Sequence, residues 1–515
     1  PLAVLMGESV VKSISQVEID SPEVNLVRRN NQEWNYMDFM NSDEKSELDF
    51  YGKVKFSQAI INVEIDKKRL KLEDISGSLD LANQPSIHFD IIAKQADGDI
   101  KFNGVWGGKN KAVSVEANNF TLDNYLEFLP EEFAIQVNSG KLTSFKATVT
   151  SDDNGNLKVN GEALLLGISL TVEKTEVDHI DGFVLFNESE IRIFSRGQIA
   201  KQPIVLKGTT DLNMIEPMLN LELSSKSFDV TKVLENFPVK GTFNFVANIQ
   251  GNFKEPLITG NFSSEELIYQ EYIAHNVVAD LRFGDDVLYI DSLTTDLCEG
   301  KANIQGEFNT KTEKYGITLM GKNINLDLLP EYNQGLSGYM DLDVRAKGQG
   351  LNDINNVIVS GKTTVHDGSY AGVNFTGVDA GFYKDANYIA VDYVNVNLPQ
   401  GQVTLTGQIN EQNINLVMQG NNVALAQFLQ NRSEFDLSGN ASFHGNIRGT
   451  LEAPTVFVNV LAENGSLLYQ PYQKLTGILE SDFETINIKN IEMTDGISTH
   501  KVQGSIGLKN ENPLN

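Results

Sequence analysis

The residues able to do chemistry are few and scattered along the chain. Six histidines stand at His88, His179, His275, His366, His444 and His500. His179 and His275 fall in matching places of two successive sequence repeats. About eight strands between them, at about 4.8 Å each, would hold them about 38 Å apart, too far to share one metal or one substrate. The single cysteine, Cys298, leaves no partner for an intrachain disulfide or a cysteine metal site. It follows Leu293 and Leu297 in an apolar run and reads as a buried structural thiol. Asp152-Asp153-Asn154-Gly155-Asn156 has its glycine two places too early for a calcium loop, and no glutamate closes it. Gly361-Lys362-Thr363 has the ending of a phosphate loop, but Asn356 stands where the first glycine belongs and a strand pattern follows. Asp285-Asp286 is the kind of acidic pair a glycosidase uses, yet it sits between strands in a chain with 69 acidic residues. No Ser-His-Asp or Cys-His arrangement is present. The sequence points to a non-enzymatic protein, with no metal and no cofactor.

The elements that would have to position such groups are strands. Of 515 residues, 41% are apolar, spread over the whole length, and the chain has 42 glycines against 13 prolines. With abundant Asn and Asp, that mixture suits many strands joined by tight turns and does not suit disorder. The formal charge is −28. An acidic surface repels nucleic acid and anionic lipid headgroups, which argues against a phosphate-binding groove. The longest apolar stretch, residues 163–170, is well short of the roughly 18 residues a membrane helix needs. The sequence opens at Pro1 without an initiator Met, so a longer chain with a leader or membrane anchor upstream is expected.

A repeat of about 100 residues runs through the chain. Glycines close alternating strands at Gly208, Gly306, Gly407 and Gly504, with Gly104 as a looser copy. The spacings are 306 − 208 = 98, 407 − 306 = 101 and 504 − 407 = 97. A second set opens strands at Gly140, Gly241, Gly338 and Gly439. A third anchor is a short helical pattern, starting at Asn119, Ser227, Asn323 and Asn422, in which apolar residues recur at three and four after an Asp or Asn suited to an N-cap. These anchors divide the chain into an N-terminal β region (1–110) and four repeats (111–208, 209–306, 307–407, 408–515), each with one short helix and about eight strands.

The strands alternate with period two. Phe243, Phe245, Ala247 and Ile249 share one side of their strand, as do Met340, Leu342, Val344 and Ala346, whereas Asp341, Asp343, Arg345 and Lys347 share the other. Val394, Val396 and Leu398, then Val403 and Leu405, continue the apolar face. Short Gly-, Asn- and Asp-rich connections demand antiparallel neighbours. Four or five short helices cannot cover some forty strands, so the sheet must bend onto itself, either as a filled sandwich or as a trough about 190 Å long that needs an apolar guest. The fold class expected is an all-β repeat protein: an elongated, mainly antiparallel sheet curled into a U-shaped hydrophobic groove, lined by the thirteen apolar residues named above.

The segment Ile19-Asp20-Ser21-Pro22-Glu23-Val24-Asn25-Leu26-Val27-Arg28, followed by Trp34-Asn35-Tyr36, the long run of alternating strands ending in glycine and the helix punctuating each unit together resemble the AsmA-like superfamily, and within it its TamB-type members. The resemblance implies a protein anchored in the inner membrane of a diderm bacterium. It would cross the periplasm as a taco-like β-groove that carries phospholipid, akin to bridge-like lipid transfer proteins, and support outer-membrane biogenesis. It also implies an Omp85-type outer-membrane barrel as partner. The alternative is a scaffold or chaperone for outer-membrane protein assembly, using strand edges as templates. A parallel β-solenoid adhesin would repeat every 20 to 30 residues and does not fit the longer period.

Overall fold

A computed structural model describes residues 14–28, 34–35, 50–65, 68–95, 98–107, 111–122, 135–151, 156–172, 175–211, 218–234, 238–252, 255–329, 335–350, 356–370, 372–410, 412–429 and 436–507. These residues are almost all β: thirty-one strands and three 3-10 turns. The chain divides into two compact units, one formed by residues 1–236 and 243–258, the other by residues 237–242 and 259–515. None of the described pairings closes either unit into a barrel.

In the first unit the strands from Lys53–Ile65 to Met218–Phe228 pair with their chain neighbours, antiparallel, and Phe243–Asn252 pairs with Met218–Phe228. Two short strands depart from this rule. Gln16–Asp20 and Glu23–Arg28 both lie parallel to Lys53–Ile65, end to end along its other edge, with Ser21 at φ 50 between them. Asn35 ties the second one down: its Nδ2 donates to the Asn25 carbonyl at 2.8 Å, and its Oδ1 accepts from the Val27 N–H at 3.0 Å. Tyr36 lies outside the described residues. In the second unit Val239–Gly241 pairs with Leu257–Tyr269, and the strands from Tyr272–Gly284 to Thr499–Gly507 form one antiparallel meander.

Most strands run 9 to 17 residues and pass through one or more bulges. A hundred-residue repeat therefore holds about six strands rather than eight. The bulges recur with the repeat. Ser227, Asn323 and Asn422 sit at φ 54, 56 and 51, and Asn119 at φ 52. The freed N–H is captured by a side chain of the next strand: Ser227 by Asn244 (3.0 Å), Asn323 by Asp341 (2.6 Å) and Asn422 by Ser442 (3.3 Å). Asn and Asp tolerate this left-handed conformation better than other side chains. The two histidines thought to match do not: the bulges align His179 (φ 51) with Asn276 (φ 52), one place beyond His275.

The glycine anchors have a steric cause. Gly208 and Gly407 lie at φ 140 and 141, and a Cβ on either would overlap a carbonyl oxygen of the next strand, that of Asn220 or Asn415. Only glycine lets the strands stay in register there.

The expected helices are not formed. Where the pattern predicts them, the structure has single 3-10 turns at Val230–Lys232, Leu326–Leu328 and Leu425–Leu429; the Asn119 segment runs beyond residue 122, outside the described residues. Asp229 and Asn325 do cap these turns, accepting from the Thr231 and Asp327 N–H groups two residues on, but each element stops after a single 3-10 turn. Asn and Asp also build the hairpins. Asn187, Asp385, Asn410, Asp482 and Asp495 each accept from the N–H groups two and three residues ahead. Cys298 lies in such a connection, not in a strand: Cys298 and Glu299 (φ 46 and 62) form the two-residue turn before Gly300–Asn309. Its half-buried thiol, pushed up by desolvation, faces the Leu328 carbonyl at 3.7 Å. Asp285-Asp286 forms an equivalent turn (φ 52 and 61), with Asp286 paired to Lys311.

Replacing Gly407 by Val should cost about 2–3 kcal/mol, read as a lowered urea midpoint. Gly316→Ala, where no atom lies within 4 Å of the new methyl group, should leave the midpoint in place or raise it slightly. The Ser498 and Ile497 amides, with the Ser498 hydroxyl, hold the Asp495 carboxyl at about 2, below its ordinary 3.8. The folded form is thus favoured above 3.8, and this contribution is lost as pH falls through about 2. Amide exchange at Ile497 and Ser498 should accelerate across that window, and an Asp495→Asn protein should show no such step.

Candidate functional site

Cross-strand register turns the alternation along each strand into rows across the sheet. In the second unit one row begins Met340, Val365, Val378, Val396, Val403 and continues Gly420, Phe443, Val460, Gly477, Ile491 and Val502, each directly opposite the next. These are eleven residues on eleven successive strands, and every one is apolar. At about 4.8 Å per strand the row is about 48 Å long. A second row runs Leu293, Ile304, Leu319, Val344, Gly361, Phe382 and on through Val391, Gly407, Leu416 and Ile447 to Val456, again without a polar member. Between them lies a third, through Gly321, Leu342, Thr363, Ala380, Val394, Leu405 and Met418. Its one hydroxyl, on Thr363, is satisfied by donating to the Asp341 carbonyl at 3.0 Å.

The first unit has a row of the same kind. It starts Ala59, Ile75, Ala93, Ile100, Ala117, Phe145 and proceeds Ala163, Val184, Ile193, Gly208, Leu221 and Ile249. Phe245 and Ala247 neighbour it on the same strand, opposite Ser225 and Leu223, and Phe243 pairs with Phe228.

The sequence-derived face is thus placed as follows. Met340, Leu342, Val344, Val394, Val396, Val403 and Leu405 come together in the three rows of the second unit. Ala346, opposite Ile317 and Val359, adds a further position beside them, and Leu398 is buried at a strand end. Phe243, Phe245, Ala247 and Ile249 belong to the first unit. Their alternate neighbours, Asn244, Asp343, Arg345 and Lys347, are exposed.

What covers the apolar face decides its role. Twenty-eight apolar residues are buried among the described ones, and ten of those are alanines. Most row members are only half-buried, and among the described residues no layer of helices stands over them. The cluster around Leu326, Val365, Phe375, Leu398 and Val423 leaves a hollow of about 400 Å³. Its walls are Leu336, Tyr370, Val373, Phe375, Val378, Val396, Leu398 and Val403, with almost no polar surface. Val373 and Val378 escaped the sequence reading because the alternation slips a place at Thr376-Gly377, whereas Phe375 is one of the aromatic residues the sequence offers as either core filler or groove lining. Leu336 precedes the anchor Gly338 and carried no signal of its own. Elsewhere the interior is filled: the Tyr472 phenol, pushed up by desolvation, donates to the Ser438 carbonyl at 2.6 Å.

No arrangement for catalysis is assembled from the residues singled out. His179 and His275 are solvent-exposed, beside Asp178 and Glu266. Among the described residues no group of three potential metal ligands occurs. Gly361, Lys362 and Thr363 lie inside a strand, Gly361 and Thr363 on the apolar face. Asp152 to Gly155 lie outside the described residues. No described helix is long and apolar enough to cross a membrane.

Fold and face define a class: an open β-sheet protein with rows of apolar residues across the strands of each unit. No protein-family model matches the chain, and no curated protein matches it in sequence.

Leu342→Asp places a carboxylate in the middle of the rows and should cost about 1–3 kcal/mol. Asn244→Asp should be nearly silent in the same urea titration, because its Oδ1 only accepts from Ser227, and Asp341 fills the same role for Asn323. Equal effects of the two changes would mean the face has been assigned wrongly.

Proposed function

We propose that this chain is a lipid conduit: its sheet bends into a trough whose apolar rows carry acyl chains through water. The observation that supports this most directly is the unbroken row from Met340 to Val502, eleven strands without a polar side chain and without a covering layer. A filled core would need large side chains meeting face to face. Here ten of the twenty-eight buried apolar residues are alanines, and an all-apolar hollow remains. A row also differs from a pocket in what it permits. A chain lying across the strands meets an equivalent surface every 4.8 Å or so, which favours sliding over tight capture.

The resemblance to TamB-type members of the AsmA-like superfamily supplies the setting of the proposal: a periplasmic bridge, anchored in the inner membrane through parts beyond this sequence, delivering phospholipid towards the outer membrane beside an Omp85-type barrel. The chain acts as a carrier and not as a catalyst. A second reading, a template for strands of outer-membrane proteins, draws on Thr499–Gly507, which pairs on one side with Thr485–Thr494 and with no other described strand.

Native mass spectrometry of the purified chain, followed by lipid extraction, tests the proposal. Phospholipid should co-purify with the wild type and be lost from a Phe245→Asp/Leu342→Asp protein that stays folded by circular dichroism. A bare chain mass with no lipid would sink the conduit and favour the template.

A further inference from the structure

A second hollow in the second unit has a different chemistry. It measures about 610 Å³ and is walled by Lys314, Tyr315, Lys347, Gly348, Gln349, Asn356 and Ile358. It lies where the strands Lys314–Asn325, Leu336–Gln349 and Ile358–Tyr370 start or end. The register sets Lys314 opposite Gln349 and Gly316 opposite Lys347, so the two lysines are diagonal neighbours on one face. Such positions are about 7–8 Å apart, where like charges repel. Arg345, two residues before Lys347, extends the same face.

These cations have no partner among the described residues. Neither Lys314, Lys347 nor Arg345 forms an ion pair or a side-chain hydrogen bond among the described residues, whereas Lys207, Lys311, Lys489 and Lys501 each meet a carboxylate within 2.8 Å. Glu313, beside Lys314 in the chain, has an oxygen 3.7 Å from the Cβ position of Gly350 and pairs with neither lysine. The chain carries 69 acidic residues against 41 basic ones, yet among the described residues no carboxylate pairs with this cluster. The Tyr315 ring lies on Gly348, its oxygen 2.6 Å from where a Cβ would stand, so that only glycine leaves room for the phenol at this place. That hydroxyl has no partner either, while Gln349 donates to the Thr312 carbonyl at 3.1 Å.

We infer that this hollow binds a phosphoryl group, with Lys314 and Lys347 as the charge partners. Two ammonium groups at one open hollow suit an anion with several acceptor oxygens, which relieves their repulsion by bridging them. The phosphoryl group can come from free phosphate or from a phospholipid headgroup. The second source rests on the conduit reading, since Ala346 on the apolar face lies next to Lys347 in the same strand.

Isothermal titration calorimetry of the full chain separates the sources, using inorganic phosphate in one arm and monomeric dihexanoyl phosphatidylglycerol in the other. Phosphate binding that weakens at least tenfold in Lys314→Gln/Lys347→Gln, and not in the control Lys489→Gln, establishes the site for the free ion. Binding of the lipid only, weakened tenfold both by the lysine pair and by Leu342→Asp, assigns it to a headgroup. Lipid binding that survives the lysine changes but is lost in Leu342→Asp overturns the site and leaves the conduit standing. Absence of binding in both arms overturns the site as well. The substituted lysines are exposed, and circular dichroism of the double variant confirms that it folds.

Discussion

Lateral backbone pairing carries this molecule, because almost nothing is stacked on its sheet. In a two-layered protein the apolar face of a sheet is closed by helices or by a second sheet, and packing between layers supplies most of the stability. Here each strand is held chiefly by the ladders to its two neighbours. Every position on the apolar face must therefore line up with an apolar position on both sides, or the row breaks. A slip of one residue would turn a whole strand inside out. The long strands, the recurrent bulges and the glycines all serve that condition.

The bulges show how the register is kept while the sheet bends. A bulge adds a residue to one strand and increases the local twist, and it leaves an N–H without its ladder partner. In successive repeats that N–H is taken up by Asn244, Asp341 or Ser442, side chains on the opposite face from the rows. The face that looks merely solvated thus holds the bends of the face that stays dry. Gly208 and Gly407 play the complementary part, letting a neighbouring strand approach where a side chain would force it away.

Much of this was legible in the residues. The phase of Met340, Leu342, Val344 and Ala346 against Asp341, Asp343, Arg345 and Lys347 is the phase of the structure, and the anchor glycines lie at left-handed or closely approached positions. The rows were not legible, because alternation along one strand says nothing of which residue lies opposite. The helices were misread in length and not in position: Asp229 and Asn325 cap as N-caps do, but the elements they start end after one 3-10 turn. Cys298 was misplaced because a type of turn that needs two left-handed residues can be built without glycine, as Cys298-Glu299 and Asp285-Asp286 both are. The parallel N-terminal strands had no signal at all, since they pair with a strand some forty residues away.

Six strands to a repeat is an even number, and this has a consequence for the history of such chains. After an even number of antiparallel strands the chain points in its starting direction with the same side of the sheet apolar. A whole repeat can then be duplicated or deleted by recombination and leave both flanking edges matched to what they met before. An odd count would invert the next strand and present it the wrong way round. Proteins built on this plan can change their reach in steps of one repeat, with no compensating substitution in the units that remain.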